Sequence, residues 1–256
     1  MTYLHAIILG IVEGITEFLP ISSTGHLVLT GKLLGLNADA FLTTFNIAIQ
    51  LGAILAVLTL YGKMLIQKPG VIARIAVAFV PTGILGLVLY PYVKEWLTNP
   101  VIVVWALGIG GLVLILFERF VPEPADAGED IATLGYGKSF TIGLVQAVSM
   151  VPGVSRAAAT IIGGLSLGMS RRAIVEFSFL LALPTMAAAT GLDLIENAGA
   201  FSREQFGMLT VGFVLSWAMA ALTIRWLLRF IQRHDFTSFG IYRIILATAF
   251  ALLVLY

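Results

Sequence analysis

The sequence predicts an all-α polytopic membrane protein made of two inverted repeats, each with one re-entrant helical hairpin plus three transmembrane helices. Three observations predict it. Of 256 residues, 59% are hydrophobic and 11% charged, where a soluble domain carries about 25% charge. Six apolar windows are long enough to cross a bilayer, whose hydrocarbon core is about 30 Å thick. Two polar, proline-containing knots, LPISSTG and VPGVS, interrupt apolar runs some 130 residues apart.

In chain order, short apolar stretches at about 4–18 and 27–36 flank the first knot. At about 1.5 Å per residue neither reaches across the core, so the pair reads as a hairpin that enters and leaves on one side. Spans follow at about 41–61, 71–92 and 101–117. The strongly polar stretch 119–138 (RFVPEPADAGEDIATLGYGK) reads as an exposed linker. A second short pair, 139–151 and 157–168, flanks VPGVS, and spans at 173–192, 205–224 and 238–256 complete the chain. The whole, 1–256, is one membrane domain with repeat one at about 1–118 and repeat two at about 139–256.

The halves echo one another. GIVEGITEFLPISS (10–23) aligns with GLVQAVSMVPGVS (143–155) if one residue is dropped before the proline. TFNIAIQLGAILAV (44–57) then matches EFSFLLALPTMAAA (176–189) without gaps. An odd number of spans per repeat turns the second copy upside down, as in many transporters. Charge bias orients it. One face receives Lys63, Lys68, Arg74, Arg119, Lys138, Arg171, Arg172, Arg225, Arg229, Arg233 and Arg243, the other only Lys32, Lys94 and Arg203. The first face is then cytoplasmic, both termini lie outside, and the two hairpin tips meet near the midplane from opposite sides.

Composition excludes several classes. Without cysteine there are no disulfides and no thiolate metal sites. Nothing resembles a nucleic-acid-binding module, and a net charge of +1 selects no partner. The N-terminus lacks a basic region, and Glu13 and Glu17 break its apolar run, so it does not read as a signal peptide.

Chemistry concentrates at the two knots. A charged side chain at the bilayer centre costs roughly 2.5–3.5 kcal/mol, so charges there usually form a site. Glu13 and Glu17 share a helix face at i, i+4. Two such carboxylates repel unless a proton or a cation such as Mg²⁺ or Ca²⁺ lies between them. Ser22, Ser23, Thr24 and Gly25 precede a helix starting near His26. Hydroxyls and free N–H groups at a helix start bind anions. Gly153 and Ser155 repeat that arrangement, Arg156 adds a phosphate-matched fork, and Thr160 lies one turn on. Capping and interhelical bonding explain Ser155 or Thr160 taken singly, but an unpaired guanidinium at that depth needs an anion. His26 reads as a base or nucleophile beside Ser23. Asn46 and Gln50 on the first span read as interhelical bonding groups, and Arg171–Arg172 as a topology anchor.

These residues, EGITEFLPISSTGH with PGVSRAAAT, resemble the undecaprenyl-pyrophosphate phosphatase family of the bacitracin-resistance type, bacterial inner-membrane enzymes of lipid-carrier recycling. The resemblance runs nearly end to end, including EFSFLLALP (176–184) and GIYR (240–243). It implies a glutamate-rich motif at Glu13 and Glu17, an SSTGH element at Ser22, Ser23, Thr24, Gly25 and His26, and a phosphate motif at Pro152, Gly153, Ser155, Arg156 and Thr160. The family's usual serine after the arginine is Ala157 here. The phosphatidic-acid phosphatase pattern does not fit, since its histidine would fall on Ile162.

The resemblance implies hydrolysis of a polyprenyl pyrophosphate lipid to the monophosphate and inorganic phosphate, with an active site opening outward and a divalent cation on Glu13 and Glu17. Ser23 is the candidate nucleophile with Glu17 or His26 as base. Alternatively, Ser23 binds phosphate while His26 attacks or activates water. The rival class is an inverted-repeat transporter or flippase of polyprenyl phosphate. Bilayer lipid surrounds either, and a homodimer is open to both.

Overall fold

The computed structural model describes residues 1–37, 40–97, 99–121, 131–197 and 202–254, and every regular element among them is helical. The elements are α1 (Tyr3–Thr16), α2 (Ser23–Leu33), α3 (Ala40–Gln67), α4 (Pro69–Leu97), α5 (Pro100–Phe120), α6 (Tyr136–Gln146), α7 (Arg156–Ser166), α8 (Arg171–Asn197), α9 (Arg203–Phe230) and α10 (Thr237–Val254). Short 3₁₀ turns at Ile131–Thr133 and Ala147–Met150 precede and follow α6. Linker residues 122–130, and the side chain of Lys94 used in the charge count, lie outside the described residues.

Five of the six expected spans, α3, α4, α5, α8 and α9, carry stretches long and apolar enough to cross a membrane. This makes the protein a multi-pass membrane protein. The sixth, α10, has 18 residues, about 27 Å of helix, at the short end of what a bilayer needs. Side chains such as Leu87, Trp105, Phe206 and Ile245 stand out on the surface. In water they would be a liability; in lipid they are the solvent-facing layer.

The core sits between the central helices α3 and α8. Phe18, Val57, Ile75, Phe177, Phe179 and Ile224 belong to one fully buried cluster joining the first hairpin's break to α3, α4, α8 and α9. The short helices reach it by close backbone approach. A Cβ on Gly10 of α1 would lie 2.6 Å from Gly212 O of α9, and one on Gly143 of α6 would run into Ala78 O of α4. Small residues allow such crossings where no hydrophobic force separates helix from lipid.

Both short pairs turn by the same device. Among the described residues, Ser22 and Ser155 are the non-glycine residues with positive φ, at 70° and 72°, and each caps the helix that follows it. Ser22 Oγ accepts from Gly25 N and Ser155 Oγ from Ala158 N. The far ends match too. Gly35 and Gly168 take positive φ, with Leu36 N bonded to Gly31 O and Met169 N to Gly164 O, a Schellman closure. Cap for cap the offset is 133 residues (22 to 155, 35 to 168). This corrects the sequence alignment. Ser22, not Ser23, corresponds to Ser155, and the dropped residue falls after the second helix instead of before the proline. A proline can shift by one place in a turn, whereas a cap side chain must sit where the helix begins.

Candidate active site

The break after α1 leaves Glu17 at its C-terminal end and Ser23 at the first position of α2. The corresponding first position of α7 is Arg156. Both reach the same carboxylate. Ser23 Oγ donates to Glu17 Oε2 at 2.5 Å, and Arg156 Nη2 donates to Glu17 Oε1 at 3.1 Å. Arg156 Nη1 is held by Ser178 O at 2.8 Å, its guanidinium lies 5.8 Å from the Phe18 ring, and its Nε has no protein partner. The side chains of Glu17 and Arg156 are 7% and 13% exposed, so their pairing escapes most of the screening that weakens surface ion pairs.

A cavity of about 890 Å³ opens beside this trio. Glu17, Ser22, Ser23, Thr24, Pro152, Gly153, Ser155 and Arg156 line its polar end. The rest of its lining is mostly apolar and comes largely from α4 and α8, among them Phe79, Ile84, Leu87 and Met186. The first two N–H groups of each tip helix, on Ser23 and Thr24 and on Arg156 and Ala157, lie beyond the reach of intrahelical bonding. Two helix N-termini and a guanidinium on a largely apolar cavity suit an anionic headgroup on an apolar tail.

The chain matches the family model described as "Bacitracin resistance protein BacA" over residues 6–249. It belongs to the BacA family. It is 49% identical over 250 residues to an undecaprenyl-diphosphatase of Wolinella succinogenes, covering 98% of this chain and 97% of its relative. Similar proteins of the same name come from Aquifex aeolicus, 45% identical over the full length of both chains, and from Thermus thermophilus, 48% identical over 96% of this chain and 95% of the other.

Four of the residues expected in the site of this BacA-family chain stand behind the cavity wall. Glu13 is fully buried, and neither of its carboxylate oxygens has a partner. Thr160, also fully buried, donates to Gln146 Oε1 at 3.1 Å and to Arg156 O at 2.8 Å. Gly25 packs on Leu107, and its N–H is used by the Ser22 cap. His26 is bonded at both nitrogens, Nδ1 to Ser22 O at 2.7 Å and Nε2 to Tyr242 Oη at 2.8 Å. A carbonyl only accepts, so Nδ1 carries the proton, and in the neutral ring the Tyr242 hydroxyl donates to Nε2.

The orphaned Glu13 carboxylate fits a cation. Glu17 offers the second carboxylate, and no group of three His, Cys, Asp or Glu exists among the described residues. Two carboxylates are too few for a protein-only cage, but a divalent cation such as Mg²⁺ is commonly held by one or two carboxylates with phosphate and water completing the shell.

Sequence reasoning passed over several residues here. Gln146, in the place that corresponds to Glu13, lines the cavity and donates to Thr82 Oγ1 at 3.2 Å. Gln50, expected only to bond between helices, also lines it. Tyr242 had no signal of its own. Arg243 was assigned to the cytoplasmic charge count, but its side chain is wholly buried and its charge serves the interior. The GIYR match was the available clue.

Proposed function

We propose that this protein hydrolyses undecaprenyl pyrophosphate to undecaprenyl phosphate and inorganic phosphate, the activity for which its relatives are named. The observation that carries the reading is the shared carboxylate: Glu17 takes a hydrogen bond from Ser23 Oγ and pairs with Arg156 at the wall of the cavity. A nucleophile, its base and a phosphate clamp are thereby within reach of one phosphoryl group.

Glu17 Oε2 accepts the Ser23 proton as Oγ attacks the terminal phosphorus. The Oγ–P bond forms, and the bond from phosphorus to the bridging oxygen breaks. That oxygen leaves with the electron pair as undecaprenyl phosphate. Glu17 passes its proton to solvent, then deprotonates a water that cleaves Oγ–P, and the proton returns to Ser23. Arg156 and the two helix N-termini balance the charge that builds on the phosphoryl oxygens. Glu13 and Glu17 would hold the divalent cation, which when bound supplies further charge neutralisation. The prenyl tail lies along the apolar wall of α4 and α8.

Geometry favours Ser23 over His26 as nucleophile, because both imidazole nitrogens are bonded and the ring lies off the cavity. His26 acts by holding Ser22 O, and so the turn that aims Ser23. We read the caps at a constant offset, and the crossings of α1 on α9 and α6 on α4, as support for inverted repeats within a single membrane domain. Together with the charge bias, they support a reading in which both termini lie outside the bacterial inner membrane and the site opens outward.

The test uses detergent-solubilised protein and a short-chain polyprenyl pyrophosphate. Wild type releases phosphate; Ser23→Ala, Glu17→Gln and Arg156→Ala lose nearly all release. His26→Ala retains more turnover than Ser23→Ala. A pure carrier would release no phosphate, and full activity in Ser23→Ala would transfer the attack to water or His26.

A further inference from the structure

Arg243 has no part in the chemistry described above, yet it is the largest fully buried side chain among the described residues. Its five N–H groups all find carbonyl oxygens. Nε donates to Leu107 O at 3.3 Å and Nη2 to Ala106 O at 3.0 Å, both on α5. Nη1 donates to Pro20 O at 3.2 Å, in the first tip, and to Val154 O at 2.8 Å, in the second. Nη2 also donates to Gly153 O at 2.9 Å. One nitrogen therefore holds the two tips together directly. The carbonyls of Pro20, Gly153 and Val154 lie in the turns immediately before Ser23 and Arg156, whose side chains meet on Glu17.

The approach is prepared by small residues. α5 and α10 touch through backbone, with a Cβ on Gly111 falling 2.7 Å from Gly240 O. A Cβ on Gly110 would run into Arg243 Nη2. The neighbouring Tyr242 holds His26 from the same helix. A buried guanidinium can be a mere structural plug, but a plug needs no fork shared between two segments more than a hundred residues apart in sequence.

We propose that Arg243 is a positioning residue: it fixes the two hairpin tips relative to each other, and so sets the distance from Ser23 to Arg156 across Glu17. Lysine cannot replace it, since one ammonium with three donors cannot serve five carbonyls on three segments.

Two measurements test this, and only the first rests on the proposed phosphatase reading. With polyprenyl pyrophosphate and full-length purified protein, Arg243→Lys and Gly110→Ala lower kcat by about 100-fold or more while KM changes little, as expected for misaligned reacting groups in a site that still binds. Gly110→Ala displaces the guanidinium without removing it, so it remains informative if Arg243→Ala does not fold. The second measurement needs no turnover. The chain has no cysteine, so nitroxides on Leu33→Cys and Ser166→Cys, at the exposed far ends of α2 and α7, report the separation of the hairpins by pulsed electron paramagnetic resonance. Arg243→Lys and Gly110→Ala broaden or shift that distance distribution relative to the labelled parent. A lowered melting temperature with unchanged kcat, or an unchanged distance distribution, would overturn the proposal. Absence of phosphate release from wild type would instead defeat the phosphatase reading and leave the distance measurement standing.

Discussion

Glu17 joins two kinds of chemistry in one carboxylate: one oxygen accepts from the Ser23 hydroxyl and the other is paired with Arg156. Glu17→Gln keeps the shape but loses the base, so kcat falls by about 10²–10⁴-fold, the usual span for general-base removal, with KM little changed. Steady-state phosphate release gives both constants. Arg156→Lys cannot hold Glu17 and Ser178 O together in the fork geometry, so KM rises as kcat falls. Thr160→Val behaves differently. It removes the one hydroxyl proton shared between Gln146 Oε1 and Arg156 O but touches no cavity surface, so turnover drops by less than about tenfold, the worth of one hydrogen bond of roughly 0.5–1.5 kcal/mol. Of these residues, Glu13, Glu17, Ser23, His26 and Arg156 were all legible from their cost inside an apolar run. Their division of labour was not, because a one-dimensional pattern does not say which side chain faces a cavity and which backs it.

Helix existence and type were readable from apolar runs and breakers, and the ten α-helices among the described residues overlap the ten apolar stretches, with ends shifted by a few residues. Starts were less readable. α2 begins at Ser23 instead of near His26 because Ser22 adopts positive φ and caps it, a conformation that sequence does not announce for serine. Strain of this kind costs about 1–3 kcal/mol and clusters at functional positions. Two predictions belong to elements. Gly143→Ala drives a methyl into Ala78 O, so α6 separates from α4 and the thermal melting point in detergent falls, whereas substitution of the uncrowded Gly137 leaves it nearly unchanged. Glu118, 2% exposed, accepts from Arg171 Nη2 at 2.6 Å and from Phe236 N at 3.2 Å, tying α5 to α8 and to the start of α10. Removing one partner of a buried pair costs about 3–5 kcal/mol. Glu118→Ala should therefore lower stability by chemical denaturation while turnover per folded molecule is kept.

For the molecule as a whole, the expected orientation follows from the charge bias of its two faces. With no native cysteine, a cysteine at Ile66 is to be labelled by an impermeant maleimide only from the cytoplasmic side, and one at Leu33 only from the outer side. The opposite pattern would invert the topology. A helical membrane protein with costly polar groups in two breaks follows from the linear chain alone, because bilayer thickness and burial energies constrain length and composition directly. The linear chain also carried the family, through motifs that survive as linear strings. It takes the folded chain to reveal that Ser23 and Arg156 share Glu17, that Glu13, His26 and Thr160 are absent from the cavity lining, and that Arg243 is a buried carbonyl-bonded group instead of a surface charge. Those relations depend on distances between segments more than a hundred residues apart. A helical or β period encodes which face a residue takes on its own element, but contains no information about which distant backbone that face will meet.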